Sequence, residues 1–289
     1  MTPKGNVDFL MQTESELRSA GALSPRAEAE MLITHFGRMR RLDLFTGDKK
    51  ISSSVKRAIQ KALRERKKGK PLAYLMHEAP FYGHSFYVNK DTLIPRPETE
   101  RLVEETVGIL DGHYEGQNPQ VLDVGTGSGC IAVSLTLERP ACRMTALDAS
   151  LKALKVARKN VKLFGLSDKI QLVHSRLFRS FGKNKEAFWD VVVSNPPYVP
   201  VEDWGLLSRE VRSEPRLALD GGVRGLETIE ALLGKAPFFL KKGGWLLVEI
   251  GLGQAALLSK QLKRHADFRN FWFEKDLNGI DRVLIAQHG

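Results

Sequence analysis

From residue 120 onward the chain alternates short apolar runs with amphipathic stretches. VLDVG (121–125), RMTALD (143–148), KIQLV (169–173), DVVVS (190–194) and WLLVEIG (245–251) are too short for helices and mostly apolar, as strands buried on both faces are. Between them SGCIAVSLTLE, SLKALKVARKNVKLF and GLETIEALLGKAPFFL repeat their apolar positions at helical spacing. That alternation predicts an α/β domain with a parallel sheet covered by helices on both faces. The last two runs, FRNFWFEK and DRVLIAQ, flank DLNGID, whose Asn278-Gly279 pair signals a tight turn, so they are expected to form an antiparallel pair at the sheet's edge.

The first part of the chain has a different period. Val7, Leu10 and Leu17 are spaced for one helix face, Ser24-Pro25 is a cap followed by proline at a first helical position, and a further helix starts near Ser54. In that helix Val55, Ile59 and Leu63 form an apolar stripe opposite basic residues. A small helical domain over 1–75 follows. The stretch GKPLAYLMHEAPFYGHSFYVNKDTLIPRPETE (69–100) mixes Gly and Pro with alternating aromatics, which predicts short strands of a linking hairpin and loop over 76–97. Helical spacing resumes from Glu98 to Leu110, so the third segment is 98–289.

A chain of 289 residues with 42% hydrophobic content is long enough for a well-buried core. No apolar run approaches the roughly 20 residues that span a bilayer. The start, MTPKGNVDFL, lacks the basic and apolar regions of a secretory signal, so a cytoplasmic protein is expected. Cys130 and Cys142 stand in no metal-ligand spacing and suggest small core residues. The formal charge is +10, and thirteen Lys and Arg against three acidic residues between Arg38 and Lys70 account for all of it. Such a local excess suits an acidic partner or nucleic acid, and equally a solvated helix face.

Candidate chemistry lies at the ends of two predicted strands. In LDVGTGSGC, Gly125, Gly127 and Gly129 fall at a strand-to-helix turn, where missing side chains let a ligand approach backbone N–H groups. About 20 residues on, Asp148 ends the next strand, placed to accept from two ribose hydroxyls. The glycine turn alone also fits a nicotinamide dinucleotide. Asp123, however, would repel a pyrophosphate and suits the amino group of a methionine-type moiety, which points to S-adenosylmethionine. The fourth strand runs into SNPPYVP (194–200). Pro196 and Pro197 can extend neither sheet nor helix, and they push Asn195 toward extended backbone. Asn195 Oδ1 and the Pro196 carbonyl would then accept the two hydrogens of a planar substrate NH₂ while Tyr198 stacks on it. The first and fourth strands would bring both segments to one cleft.

With these motifs the chain resembles the release-factor glutamine methyltransferases, over nearly its whole length. The resemblance runs through GKPLAYL, FYG, LIPRPETE, LDVGTGSGCIA, ALDASLKALKVARKN, SNPPYVP, EPRLAL, GGWLLVEIG followed by Gln254, and DLNGIDR. NPPY is shared with amino-methylating DNA enzymes, whereas LIPRPETE together with EPRLAL is specific to this group. The resemblance implies a seven-stranded Rossmann-like class I methyltransferase domain with an N-terminal helical bundle. It implies methyl transfer from S-adenosyl-L-methionine, leaving S-adenosyl-L-homocysteine, to the amide nitrogen of the glutamine in the Gly-Gly-Gln motif of class I peptide chain release factors. Carried over by position, Gly125, Gly127 and Gly129 line the methionine end and Asp148 holds the ribose, with Asp123, Thr126, Ala149, Leu177 and Asn195 as further cofactor contacts. Asn195, Pro196, Pro197 and Tyr198 hold the glutamine amide. Pro95, Arg96 and Glu98 fall in a loop beside the cofactor, and Glu249 ends a strand facing the same cleft. The expected partner is the release factor, bound by a monomer that touches neither nucleic acid nor membrane and uses no metal.

Three positions depart from the family's pattern. His77 stands where Gly is usual, Ser213 where an aromatic residue or His precedes Glu-Pro, and Arg176 where an acidic residue contacts the adenine amino group. Arginine has no acceptor, so adenine recognition would rest on backbone and on Leu177. Three other functions fit parts of the pattern: an adenine-N6 nucleic-acid methyltransferase, a glutamine methyltransferase of a ribosomal protein, and a non-catalytic RNA-binding protein.

Overall fold

A computed structural model describes residues 4–182 and 185–289, which divide into two compact units. The first comprises the chain up to Glu78 together with Ser208–Ser213. Its helices are α1 (Lys4–Ser19), α2 (Pro25–Gly37), α3 (Asp43–Thr46), α4 (Ser53–Lys67) and α5 (Leu72–Met76). Leu10, Leu17, Leu32, Ile33, Ile59 and Leu63 pack in its core, while Val7 is only half-buried and Phe9 takes the buried place beside it. The side chain of buried Asn6 donates to the carbonyls of Asp43 and Lys49 and accepts from Ile51 N, which pins the segment between α3 and α4 onto α1. Ser24 stands at the N-cap of α2 before Pro25, although its hydroxyl makes no capping bond; Ser52 does cap α4, accepting from Val55 N at 3.3 Å.

Packing offsets part of the basic run. The Arg66 guanidinium, buried, binds Glu28 at 2.9 and 3.0 Å and Glu210 at 2.6 Å, while Lys67 pairs with Glu16 and Arg41 with Glu30. The unit still holds eighteen basic against ten acidic residues. Arg57, Lys61 and Arg64 are exposed on one stripe of α4 and make no ion pair among the described residues. At the end of α5, His77 is left-handed (φ 56°, ψ 35°) and its N–H closes the helix on Ala73 O. That backbone conformation is one that favours glycine.

The second unit opens with a two-stranded hairpin, β1 (Ala79–Phe81) and β2 (His84–Phe86), turning through Tyr82 and Gly83 at φ 49° and 72°. Then follow α6 (Pro97–Tyr114), β3 (Gln120–Val124), α7 (Cys130–Glu138), β4 (Arg143–Asp148), α8 (Leu151–Leu163), β5 (Ile170–His174), β6 (Trp189–Ser194), α9 (Glu227–Phe239), β7 (Leu240–Glu249), α10 (Gln254–Leu262), β8 (Phe268–Lys275) and β9 (Asp281–His288). The seven-stranded sheet has the order β5-β4-β3-β6-β7-β9-β8, parallel except for β9, which is antiparallel to both its neighbours. The α/β architecture and the antiparallel final pair are as expected, with β9 placed inside and β8 at the edge. α10, nine residues starting after a left-handed Gly253, has no counterpart among the elements anticipated from the sequence.

Strand alternation explains why both faces are covered. Val121, Val191, Val193, Leu247 and Ile285 enter one apolar layer, with Cys130 and Cys142, and Leu122, Val124, Val192, Leu246 and Leu284 enter the other. From β3 the chain steps to β4 on one side and returns through β6 on the other. The connections that follow β3 and β6 therefore leave in opposite directions at the strands' paired C-terminal ends, the usual ligand position of such sheets. Among the described residues no helix is long and apolar enough to cross a membrane.

Candidate active site

The turn after β3 is built on Asp148. Gly125, Gly127 and Gly129 all have positive φ (79°, 56° and 84°), a conformation that explains three glycines in five residues. Gly125 N and Thr126 N donate to Leu147 O at 2.9 and 2.8 Å. Gly127 N donates to Asp148 Oδ2 at 2.9 Å, and Ser150 N to Oδ1 at 2.8 Å. Asp148 is half-buried, and each oxygen keeps a lone pair for a further donor. Burial raises its pKa and the backbone amides oppose the rise. Ala149 beside it is exposed.

Below the turn, Asp123 is fully buried; Thr126 Oγ1 donates to its Oδ2 at 2.6 Å. Among the described residues its Oδ1 has no hydrogen bond of ordinary geometry, although the Ala132 N–H at the start of α7 draws its pKa down. Burial outweighs both donors and pushes the carboxyl up to about 7.

Ser194 Oγ donates to Val124 O at 2.7 Å and ties the end of β6 to the end of β3. The next residue, Asn195, has its carbonyl 4.0 Å from where a Gly125 Cβ would stand, so the two loops meet. Asn195 Nδ2 donates to Thr99 Oγ1 at 3.0 Å. Among the described residues no hydrogen bond takes up Asn195 Oδ1 or the Pro196 carbonyl oxygen. Pro196 is buried and Pro197 half-buried. Tyr198 OH donates to Glu249 Oε1 at 3.1 Å, and buried Glu249 Oε2 has no partner of hydrogen-bonding geometry among the described residues. Burial pushes the Glu249 carboxyl up to about 7, opposed by Thr99 and Tyr198.

The backbone of Tyr198 is held as firmly as its hydroxyl. Gln254 Nε2 donates to Tyr198 O and to Gly225 O, both at 3.0 Å, and Gln254 Oε1 accepts from Gly251 N at 2.7 Å. A Cβ on Gly225 would lie 2.2 Å from Tyr198 O, so only glycine lets the two chains approach this closely.

The segments LIPRPETE and EPRLAL join through Glu214, buried, which accepts from Ile94 N at 2.9 Å and pairs with Arg96. Arg96 thus has its ion pair with Glu214, between Pro95 and the α6 N-terminus, where Glu98 occupies the first turn. Leu177, at φ 52°, packs half-buried against the second apolar layer, and neighbouring Arg176 is exposed. Ser213 Oγ donates to Glu210 O. The structure therefore brings Asp123, Gly125, Thr126, Gly127, Asp148, Asn195, Pro196, Tyr198 and Glu249 to the ends of four adjacent strands. Thr99 and Glu214 were not singled out by their sequence context, because their partners lie 96 and 118 residues away.

Two family models match: the PrmC N-terminal domain over residues 8–76 and the methyltransferase small domain over residues 107–205. The chain is 40% identical over 265 residues to a release factor glutamine methyltransferase of Chlorobaculum tepidum, covering 90% of this chain and 89% of that one. The chain belongs to the release factor glutamine methyltransferase family. A second member, from Rhodopirellula baltica, is 36% identical over 289 residues, with 99% and 97% of the two chains aligned. A methyltransferase structure from Pyrococcus furiosus, 18% identical, superposes with a TM-score of 0.51 over 80% of this chain and 98% of its own, a likeness of fold alone.

The buried carboxyl in this family member gives a pH test. Glu249 has a folded pKa near 7 against an ordinary 4.5, so the folded state favours its proton. Its contribution to stability is fully present below pH 4.5 and is lost as pH rises through about 7. The shift corresponds to about 3 kcal/mol for a wholly buried group. Thermal melts of ligand-free protein should show wild type losing ground to Glu249→Gln across that interval. A difference between the two that is constant with pH would place the proton elsewhere.

Proposed function

We propose that the protein transfers a methyl group from S-adenosylmethionine to the side-chain amide nitrogen of the glutamine in the Gly-Gly-Gln motif of class I peptide chain release factors. The observation that carries this is the pair of acceptors free among the described residues, Asn195 Oδ1 and the Pro196 carbonyl, just past the end of β6 beside β3. The family's named activity supplies the substrate class.

The residues at the turn fit a sulfonium nucleoside. Asp123 offers a buried acceptor with no ordinary partner, suited to an amino group, and exposed Gly125 leaves the backbone open. Asp148 keeps lone pairs for two ribose hydroxyls, held by Gly127 N and Ser150 N with exposed Ala149 beside it. When bound, S-adenosylmethionine supplies an electrophilic methyl group. The chain's task is to present an amide nitrogen whose lone pair is delocalised and weakly nucleophilic. Asn195 Oδ1 and the Pro196 carbonyl each accept one N–H, fixing the nitrogen's direction and stabilising the positive charge that grows on it. Orientation of this kind is worth up to roughly 7–11 kcal/mol in favourable systems. Tyr198, tethered at its hydroxyl by Glu249 and at its carbonyl by Gln254, offers a ring to stack on the amide plane. Pro197 keeps the loop from relaxing.

The test uses two release factors, one carrying Gly-Gly-Gln and one with that glutamine replaced by glutamate, which has no NH₂. Labelled methyl groups should enter the first and not the second. Equal labelling of both would overturn the assignment.

A glutamine at a loop tip offers little surface to identify one protein, so specificity needs contacts elsewhere. The unpaired stripe Arg57, Lys61 and Arg64 of α4 suits an acidic surface of the release factor, and such attraction acts on association and weakens with salt. Reversing all three to glutamate is expected to raise the apparent Michaelis constant for intact release factor several-fold while activity on a Gly-Gly-Gln peptide is unchanged. Equal effects on both substrates would assign the stripe to the fold, and no effect would leave it a solvated face.

A further inference from the structure

We propose that Thr99 is a positioning residue that decides which end of the Asn195 amide faces the substrate, an inference that rests on the clamp described above. The two ends of an Asn side chain have nearly the same shape and opposite hydrogen-bonding character. A substrate NH₂ brings two donors. An Asn195 turned with its own NH₂ outward would set donor against donor, so the clamp works in one orientation only.

Thr99 supplies the bias as the partner of the amide's NH₂. It lies on the first turn of α6, is 2% exposed, and its Oγ1 accepts from Asn195 Nδ2 at 3.0 Å. With Nδ2 held inward on that buried oxygen, Oδ1 is the free end. Tyr198 OH donates to Glu249 Oε1 at 3.1 Å, so the ring of the clamp is held independently of Thr99.

The test compares Thr99→Val, which keeps shape and loses the hydroxyl, with Thr99→Ser, which keeps the hydroxyl. Turnover on release factor is expected to fall about tenfold or more in Thr99→Val, the scale of one lost hydrogen bond, with cofactor affinity by calorimetry unchanged. Thr99→Ser restores turnover to within a few-fold of wild type. Thr99→Ala serves as a second hydroxyl-free variant with the same expected loss. In an Asn195→Ala background, Thr99→Val should change turnover no further, because a residue acting through Asn195 has nothing left to orient. An undiminished loss in that background, or full activity in both hydroxyl-free variants, would overturn the role of Thr99 while leaving the clamp intact. Wild-type turnover in Asn195→Ala alone would overturn the clamp and this inference together.

Discussion

Asn195→Ala lowers turnover on release factor by roughly 10²–10³, the cost of removing one aligned acceptor that acts in the transition state. Cofactor affinity stays nearly unchanged. The expectation follows from two observations: Oδ1 is the free end of the side chain, and Nδ2 is taken up by Thr99 rather than by the glycine turn. Removing the side chain leaves Ser194 still bonded to Val124 O and Gln254 still holding the Tyr198 carbonyl, so the loop keeps its course. The Pro196 carbonyl remains and can hold the substrate by one hydrogen, which is why activity falls without vanishing. Single-turnover kinetics together with calorimetry separate the two quantities. A parallel loss of rate and cofactor affinity would make Asn195 a structural support of the cofactor site.

Asp148→Ala has the converse signature. It removes the acceptors for two ribose hydroxyls, and weakening of about 2–4 kcal/mol, roughly 30- to 700-fold in dissociation constant, is expected. The same carboxylate orders Gly127 and Ser150 through their N–H groups, so the turn loosens as well and the ligand-free protein melts lower. Turnover at saturating cofactor is largely retained, because nothing in the amide clamp leans on Asp148. Unchanged affinity would mean that the ribose lies elsewhere.

Much of this was legible in the sequence because parallel strands buried on both faces are written as continuous apolar runs, as in Val191, Val192 and Val193. The glycine turn and NPPY were legible because Gly and Pro act locally, through backbone angles that each residue permits or forbids. What stayed hidden was long-range. Nothing near Thr99 announces Asn195, and nothing near Arg96 announces Glu214. The run of charge from Arg38 to Lys70 was plain, yet Glu16 and Glu28 reach it only when α1 and α2 pack on α4. α10 carries little local signal because it is short and starts on a left-handed glycine with no capping side chain. The place of β9 between β7 and β8 is a matter of topology, which the Asn278-Gly279 turn does not specify.

The identity of the acceptor atom is read out by supplying the protein and labelled S-adenosylmethionine to a lysate whose release factors carry unmethylated glutamine. Fragment masses of the labelled protein then locate the methyl group. One dominant labelled protein is expected, a class I release factor, with the methyl on the side-chain nitrogen of the Gly-Gly-Gln glutamine. Label on a ribosomal protein, on nucleic acid, or on any other atom of the release factor would contradict it.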